Sequence, residues 1–330
     1  MAMAAKLIYE APEIVADCLQ YRWGFQLHDM EHILGHAERD CWLPDLVWCI
    51  CSNERAVVLM MKGADPVYQL DLRADPPCIK SQRPGVGEVH DGLWAGLHQL
   101  DPASAAGHLV VDRILHCLQD VSQQKQIFMC GHSLGGGLVT MLSLILPTRR
   151  AQYTPSVENA LPQWPGFVAR AGGIFTFGAP RIGNAESAAI VAGLYPGRFF
   201  RYMHGSDMVC SLPPAWGYEH CGLERFLLSF PWSSQSDGRP LSRLIKQETD
   251  QALFNLAKRQ EDRMAFAFAF FKLLKGLRIS VEVFDALQKE GIAKLASRAA
   301  LLPWPGFSDH FPYGYVEALR EELELQQYSE

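Results

Sequence analysis

The chain has 330 residues, of which 48% are hydrophobic and 20% charged; that is enough apolar side chain for a sizeable core and excludes a disordered chain. Its formal net charge of −6 at pH 7 supplies no basic field to displace counterions from a phosphate backbone, so nucleic acid is excluded as a partner and a neutral substrate is expected. At this length one large α/β domain carrying an insertion fits as well as two domains.

Taken in chain order, Leu7 to Ile33 reads as helical with a break near Trp23-Gly24. Its His28, His32 and His36, spaced i, i+4 and i+8, would then share one helix face. No Cys or acidic cluster with metal spacing accompanies them, so a plain helix face is expected and no metal site. Leu46 to Ser52 and Ala56 to Lys62 read as two strands of a hairpin around the polar turn Asn53-Glu54-Arg55. A helix is expected over Ala105 to Val121, where Val110, Ile114, Leu118 and Val121 fall on one face. The apolar run Ile127 to Cys130 is a buried strand, and Leu138 to Leu146 is a helix. Further strands at Gly173 to Phe177 and Arg198 to Met203 complete an alternation that predicts an α/β fold with a mostly parallel central sheet covered on both faces. After Phe230 a polar stretch runs to Ser242, and the periodicity from there to Ala300 is helical. This gives a discontinuous domain of residues 1–230 and 301–330, with 231–300 as a helical insertion. The tetrapeptide Trp-Pro-Gly-Phe occurs at Trp164 and again at Trp304, too short a match to signal a repeat.

Nine cysteines, an odd number in a chain too long to need disulfide staples, point to a reducing, cytoplasmic compartment. At the N-terminus Lys6 and Glu10 interrupt what would otherwise be a short apolar run, so no secretory leader is expected. Nor does any stretch reach the roughly 18 uninterrupted apolar residues of a spanning helix.

The chemistry concentrates at Gly131-His132-Ser133-Leu134-Gly135, which lies between the expected strand and the expected helix. That is the context of a nucleophile elbow: a sharp turn lifts the Ser133 hydroxyl off the sheet edge, and side chains at Gly131 or Gly135 would collide with the neighbouring helix and strand. The Leu134 N–H, at the positive end of the helix, is then placed to donate to an oxyanion. His132 is expected to pack around the elbow. No glycine-rich phosphate loop is present, and no cofactor is implied.

From this motif onward the sequence resembles the class three lipase family, the group typified by fungal triacylglycerol lipases. Phe175-Thr-Phe-Gly-Ala-Pro-Arg-Ile-Gly-Asn184 is similar to the family's strand and turn after the elbow helix, and Arg201 to Pro214, RYMHGSDMVCSLPP, to the segment that carries its acid. Val57 to Gly63, Val89-His90-Asp91-Gly92, Tyr218-Glu219-His220-Cys221-Gly222 and Asp309-His310-Phe311-Pro312-Tyr313 resemble further blocks. The resemblance implies an α/β-hydrolase fold, with Ser133 as nucleophile, Asp207 as acid and His310 as base. It makes Ala64 the second oxyanion donor, through its backbone only, since Lys62-Gly63-Ala64 stands where the family usually has Arg-Gly-Thr or Arg-Gly-Ser. His220, nearer Asp207 in sequence, is the reserve base.

The implied activity is hydrolysis of acylglycerol esters, with phospholipids or short acyl esters as the alternative. A reading of another class is a non-catalytic scaffold that keeps the fold as a binding platform. Two segments are candidate lids, Asp65 to Pro84 and the insertion, whose apolar run Met264 to Phe271 would either dock reversibly on a lipid surface or pack permanently as core. Trp164 and Trp304 are candidate residues of the site's mouth. The oligomeric state is left open.

Overall fold

The structure, a computed structural model, describes residues 1–38, 41–43, 45–63, 79–105, 107–122, 124–148, 166–205, 207, 209–213, 217–227 and 310–327. The chain opens with two short helices, α1 (Ala2–Leu7) and α2 (Pro12–Asp17), and a π-helical turn, Cys18–Arg22. Next come β1 (Gln26–Ile33), a small ribbon of β2 (His36–Glu38) and β3 (Cys41–Leu43), and the hairpin strands β4 (Leu46–Ser52) and β5 (Ala56–Met61). A second ribbon, β6 (Lys80–Arg83) and β7 (Gly87–His90), leads into α3 (Asp91–Leu97) and α4 (Val110–Ser122). The rest comprises β8 (Gln126–His132), α5 (Leu134–Thr148), α6 (Gly166–Arg170), β9 (Ala171–Phe177), α7 (Ala185–Leu194), β10 (Phe199–His204), β11 (Leu223–Leu227) and α8 (Pro312–Gln327).

Seven strands form one sheet in the order β1-β4-β5-β8-β9-β10-β11. From β5 to β11 every pairing is parallel, whereas β1 and β4 add an antiparallel edge. The central strands read as continuous apolar runs because both faces are covered. Trp48, Ile50, Leu59 and Met129 join a core with Ile114 and Leu118 of α4 and Leu138 and Leu142 of α5. The alternate residues Cys49, Cys51, Met60 and Cys130 face a second core built with Ala5 and Ile8 of the N-terminal segment and Tyr315 of α8. Cys18, Cys49, Cys51, Cys117, Cys130, Cys210 and Cys221 are free thiols.

The expected hairpin, the α4 face and the parallel core strands are present, with α4 starting at Val110 rather than Ala105. One expectation is overturned. Residues 26–33 are not helical but form the edge strand β1, which pairs antiparallel with β4 through a register shift between Leu27 and Asp29. Its carboxylates meet Arg113 of α4, whose guanidinium lies 2.6 Å from Asp29, 3.0 Å from Glu31 and 3.4 Å from Asp101. That cation, seated 5.3 Å from the centre of the Trp48 ring, makes an acidic edge strand compatible with the sheet. His28 and His32 therefore sit on a strand, and the ring of His28 is 2.7 Å from the Ser52 hydroxyl. Among the described residues no group of three or more His, Cys, Asp or Glu is arranged to hold a metal, and no helix is long and apolar enough to cross a membrane. The expected insertion, 231–300, lies outside the described residues, as do Trp164, Trp304 and most of the Asp65 to Pro84 segment; the ribbon strand β6 occupies its described end.

Candidate active site

The strand β8 ends at His132 and α5 begins at Leu134, so Ser133 alone makes the turn between them. Its φ is +57°, and it is the only non-glycine residue with positive φ among those described. Such a conformation costs an L-residue roughly 1–2 kcal/mol and persists only where the surroundings enforce it. Here the Ser133 N–H donates to the Phe177 carbonyl at 2.8 Å, and its own carbonyl accepts from Gly136 N–H at 2.9 Å. The glycines are sterically required. A Cβ at Gly131 would run into the Gly135 backbone, and one at Gly135 into the Met61 and Lys62 backbone at the end of β5. The side chain is thereby raised at the carboxyl ends of the parallel strands, where open α/β sheets hold their ligands.

Two side chains from distant segments meet it there. His310, two residues before α8, places Nε2 2.9 Å from Ser133 Oγ and Nδ1 2.8 and 2.9 Å from the two carboxylate oxygens of Asp207. Asp207 follows β10. Its Oδ1 accepts from Val209 N–H at 2.9 Å, and its Oδ2 accepts from the Tyr315 hydroxyl at 2.5 Å. Tyr315 in turn accepts from His204 N–H at 3.2 Å. All three site residues, Ser133, Asp207 and His310, are 3% exposed. Burial alone would raise the Asp207 carboxyl, but the His310 charge and hydrogen bond, together with the Tyr315 hydroxyl, hold it below its ordinary value. An ionised carboxylate only accepts, so Nδ1 of His310 carries the proton and Nε2 is left to accept the Ser133 hydroxyl.

The reserve base is placed elsewhere. His220 Nε2 is 2.7 Å from the Cys210 carbonyl, and burial with the nearby Arg201 and Arg181 pushes its pKa well below the usual histidine value. His132 is buried beside the elbow as expected, its ring 4.7 Å from that of His310 between centroids. Leu134 is the first residue of α5, where the leading amides of a helix have no intrahelical carbonyl to bond. Ala64 lies outside the described residues. Its neighbour Gly63 is buried so closely against the elbow that a Cβ there would stand 2.8 Å from the Ser133 Cβ. Three residues in this arrangement were not singled out from the sequence: Tyr315, which bonds Asp207; Tyr9, which reaches His132; and Gly178, whose φ of +59° lets the backbone pass against Asp207. Only Gly178 lay within a matched motif.

A serine, a histidine and a carboxylate in this geometry, on a mostly parallel sheet with the serine at a strand-to-helix elbow, define a serine-nucleophile site on an α/β-hydrolase fold. The sequence profile of the class 3 lipases matches residues 58–216. Over those residues the chain is similar to that family. It is 23% identical to the triacylglycerol lipase OBL1 of Arabidopsis thaliana, over 96% of this chain and 63% of that protein. With the protein of the same name from Ricinus communis it shares 27% identity, over 63% of this chain and 36% of that one. The chain thus spans less than two thirds of the length of these plant relatives. The crystal structure of a lipase from Rhizopus microsporus var. chinensis superposes with a TM-score of 0.50 at 22% identity, covering 68% of this chain and 71% of that one, a likeness of fold.

Proposed function

We propose that this chain hydrolyses carboxylic esters of acylglycerols through an acyl-enzyme on Ser133. The observation that carries the reading is the continuous hydrogen-bonded line from Ser133 Oγ through His310 to Asp207. The Ser133 oxygen attacks the ester carbonyl while its proton passes to His310 Nε2. The resulting oxyanion is held by backbone N–H groups, assigned to Leu134 and Ala64, and collapses by expelling the alkoxide, which takes the proton from His310. Water then attacks the acyl-enzyme, with His310 again removing the proton, and the carboxylic acid leaves as Ser133 recovers its hydrogen. Asp207 keeps the imidazole in the Nδ1–H tautomer and stabilises its cation throughout. The plant relatives' names support acylglycerols as the substrate class, and no cofactor enters any step.

The test is turnover of p-nitrophenyl esters of graded chain length and of emulsified triacylglycerol by the wild type and Ser133→Ala, with fluorophosphonate labelling alongside. The wild type is expected to label and turn over, and the variant to lose about three orders of magnitude or more. Turnover unaffected by the substitution overturns the assigned nucleophile; a wild type that neither labels nor turns over favours a binding scaffold.

A further inference from the structure

The nucleophile's preceding residue, His132, joins the two halves of the site. Its Nε2 is 2.6 Å from the backbone carbonyl oxygen of His310, and its Nδ1 is 2.8 Å from the hydroxyl of Tyr9 in the N-terminal segment. That same hydroxyl lies 3.1 Å from the N–H of Gly63, on the strand exit that leads to the oxyanion loop. A carbonyl oxygen can only accept, so Nε2 of His132 must carry hydrogen. The ring is 1% exposed and neutral, because burial, and after it the charge of His310, lower its pKa to about 3. Nδ1 is therefore a bare acceptor and takes the Tyr9 proton. The Tyr9 oxygen, its own hydrogen spent, has lone pairs left for Gly63. Only one proton arrangement satisfies all three bonds, running from Gly63 N–H to Tyr9, from Tyr9 O–H to His132, and from His132 Nε2–H to the His310 carbonyl.

We propose that Tyr9 and His132 are positioning residues, forming one directional hydrogen-bond chain that sets the main chain of the general base against the main chain of the oxyanion strand. The inference rests on the reading of Ser133 and His310 given above. Tyr9 is itself held in place, since its ring stands edge-on to His132 at 5.6 Å and the Lys62 ammonium sits 5.5 Å from its centre. The N-terminal helix α1, which packs on both β8 and α8, is by this account a part of the catalytic unit. The Gly63 N–H is committed to Tyr9 and that of Lys62 to the Val47 carbonyl, so neither is left for the oxyanion.

The hydrogen-bond chain separates into halves by substitution. The amide nitrogen of His132→Gln sits near the position of Nε2 and keeps the bond to His310; the shorter amide of His132→Asn keeps a partner for Tyr9 and loses His310. With a short p-nitrophenyl ester, His132→Asn and His132→Leu should lower kcat by about 100-fold, in line with displacement of a catalytic group by an ångström. His132→Gln should recover most of it, Tyr9→Phe should cost about tenfold, and KM should hold within about twofold throughout. Nitrogen-15 NMR of the wild type should find His132 as the neutral Nε2–H tautomer from pH 5 to 8, a readout that does not depend on any variant folding. A His132 that titrates in that range, that carries its proton on Nδ1, or whose Gln variant is no better than Leu overturns the proposal. If Ser133→Ala is inactive while Tyr9→Phe and His132→Asn remain within twofold of the wild type, this inference fails alone; if Ser133→Ala stays active, the function itself was misread.

Discussion

Gly178→Ala introduces a single methyl group at a point where the backbone passes directly behind the acid. Gly178 follows β9 with φ +59°, and its N–H donates to the Tyr202 carbonyl at 3.0 Å. A Cβ at this position would stand 2.5 Å from Asp207 Oδ2 and 3.0 Å from both His310 Nδ1 and the Tyr315 oxygen. An ordinary carbon–oxygen contact is longer by most of an ångström, so the carboxylate must retreat. It cannot do so freely, because Val209 N–H, Tyr315 and His310 all hold it. Moving the Asp207–His310 pair by that much should lower kcat/KM about 100-fold, which at 1.36 kcal/mol per decade is about 2.7 kcal/mol of lost transition-state stabilisation. The left-handed backbone adds a folding cost of about 1–2 kcal/mol. Gly193→Ala is the control: that glycine lies in α7, has no atom within 4 Å of a built Cβ, and should gain up to about 1 kcal/mol of stability with activity unchanged. Steady-state kinetics on a short ester, fluorophosphonate labelling rates and thermal melts of the two variants decide the matter. Gly178→Ala within threefold of wild-type kcat/KM, beside an inactive Ser133→Ala, would refute the assignment of Asp207 as the group that orients the base.

Two other outcomes are expected. Tyr315→Phe removes one donor from a buried carboxylate, which should lower kcat about tenfold and raise the Asp207 pKa. Because that carboxyl is depressed in the folded state, the stability it contributes is present above its unfolded value and lost as pH falls through its folded one, so the variant's acid unfolding should begin at higher pH. His90 and His132 are buried and neutral, with pKa values lowered mainly by burial to about 4 and about 3. His90 stays neutral as an acceptor for the Gly92 and Leu93 amides that open α3. Below pH ~6.5 the unfolded chain protonates both histidines while the folded chain does not, so stability falls with pH until their folded values are reached. Linkage gives about 1.4 kcal/mol for each at pH 5.5, or about 3 kcal/mol together, a large fraction of the 5–15 kcal/mol typical of a domain. Urea unfolding at pH 7.5 and 5.5 measures this; equal stabilities would contradict it.

What the sequence revealed follows the range of the forces involved. The elbow was legible because strand, turn and helix are contiguous and their steric demands are written in Gly131 and Gly135. The buried parallel strands were legible because covering both faces of a sheet requires apolar residues at every position. Asp207 and His310 were recognised through the family resemblance; the residues by themselves offered eleven histidines and no reason to prefer one. The edge strand β1 was misread as helix because a register shift after Leu27 breaks its two-residue alternation, and its acidic residues are neutralised by an arginine 84 positions away from Asp29. β11 was missed outright: only Leu227 of its five residues is buried, so it shows no apolar run. Tyr9 and Tyr315 act at separations of 123 and 108 residues from their partners, beyond the reach of any local pattern.

The hydrogen bonds that Tyr315 makes to Asp207 and His204 fix the spot to which the polypeptide must return after leaving β11. Because Asp207 and His310 are docked to each other at that return point, a change in chain length between β11 and His310 should leave the reacting atoms where they are. The same property offers a protein engineer a natural splice point for grafted segments.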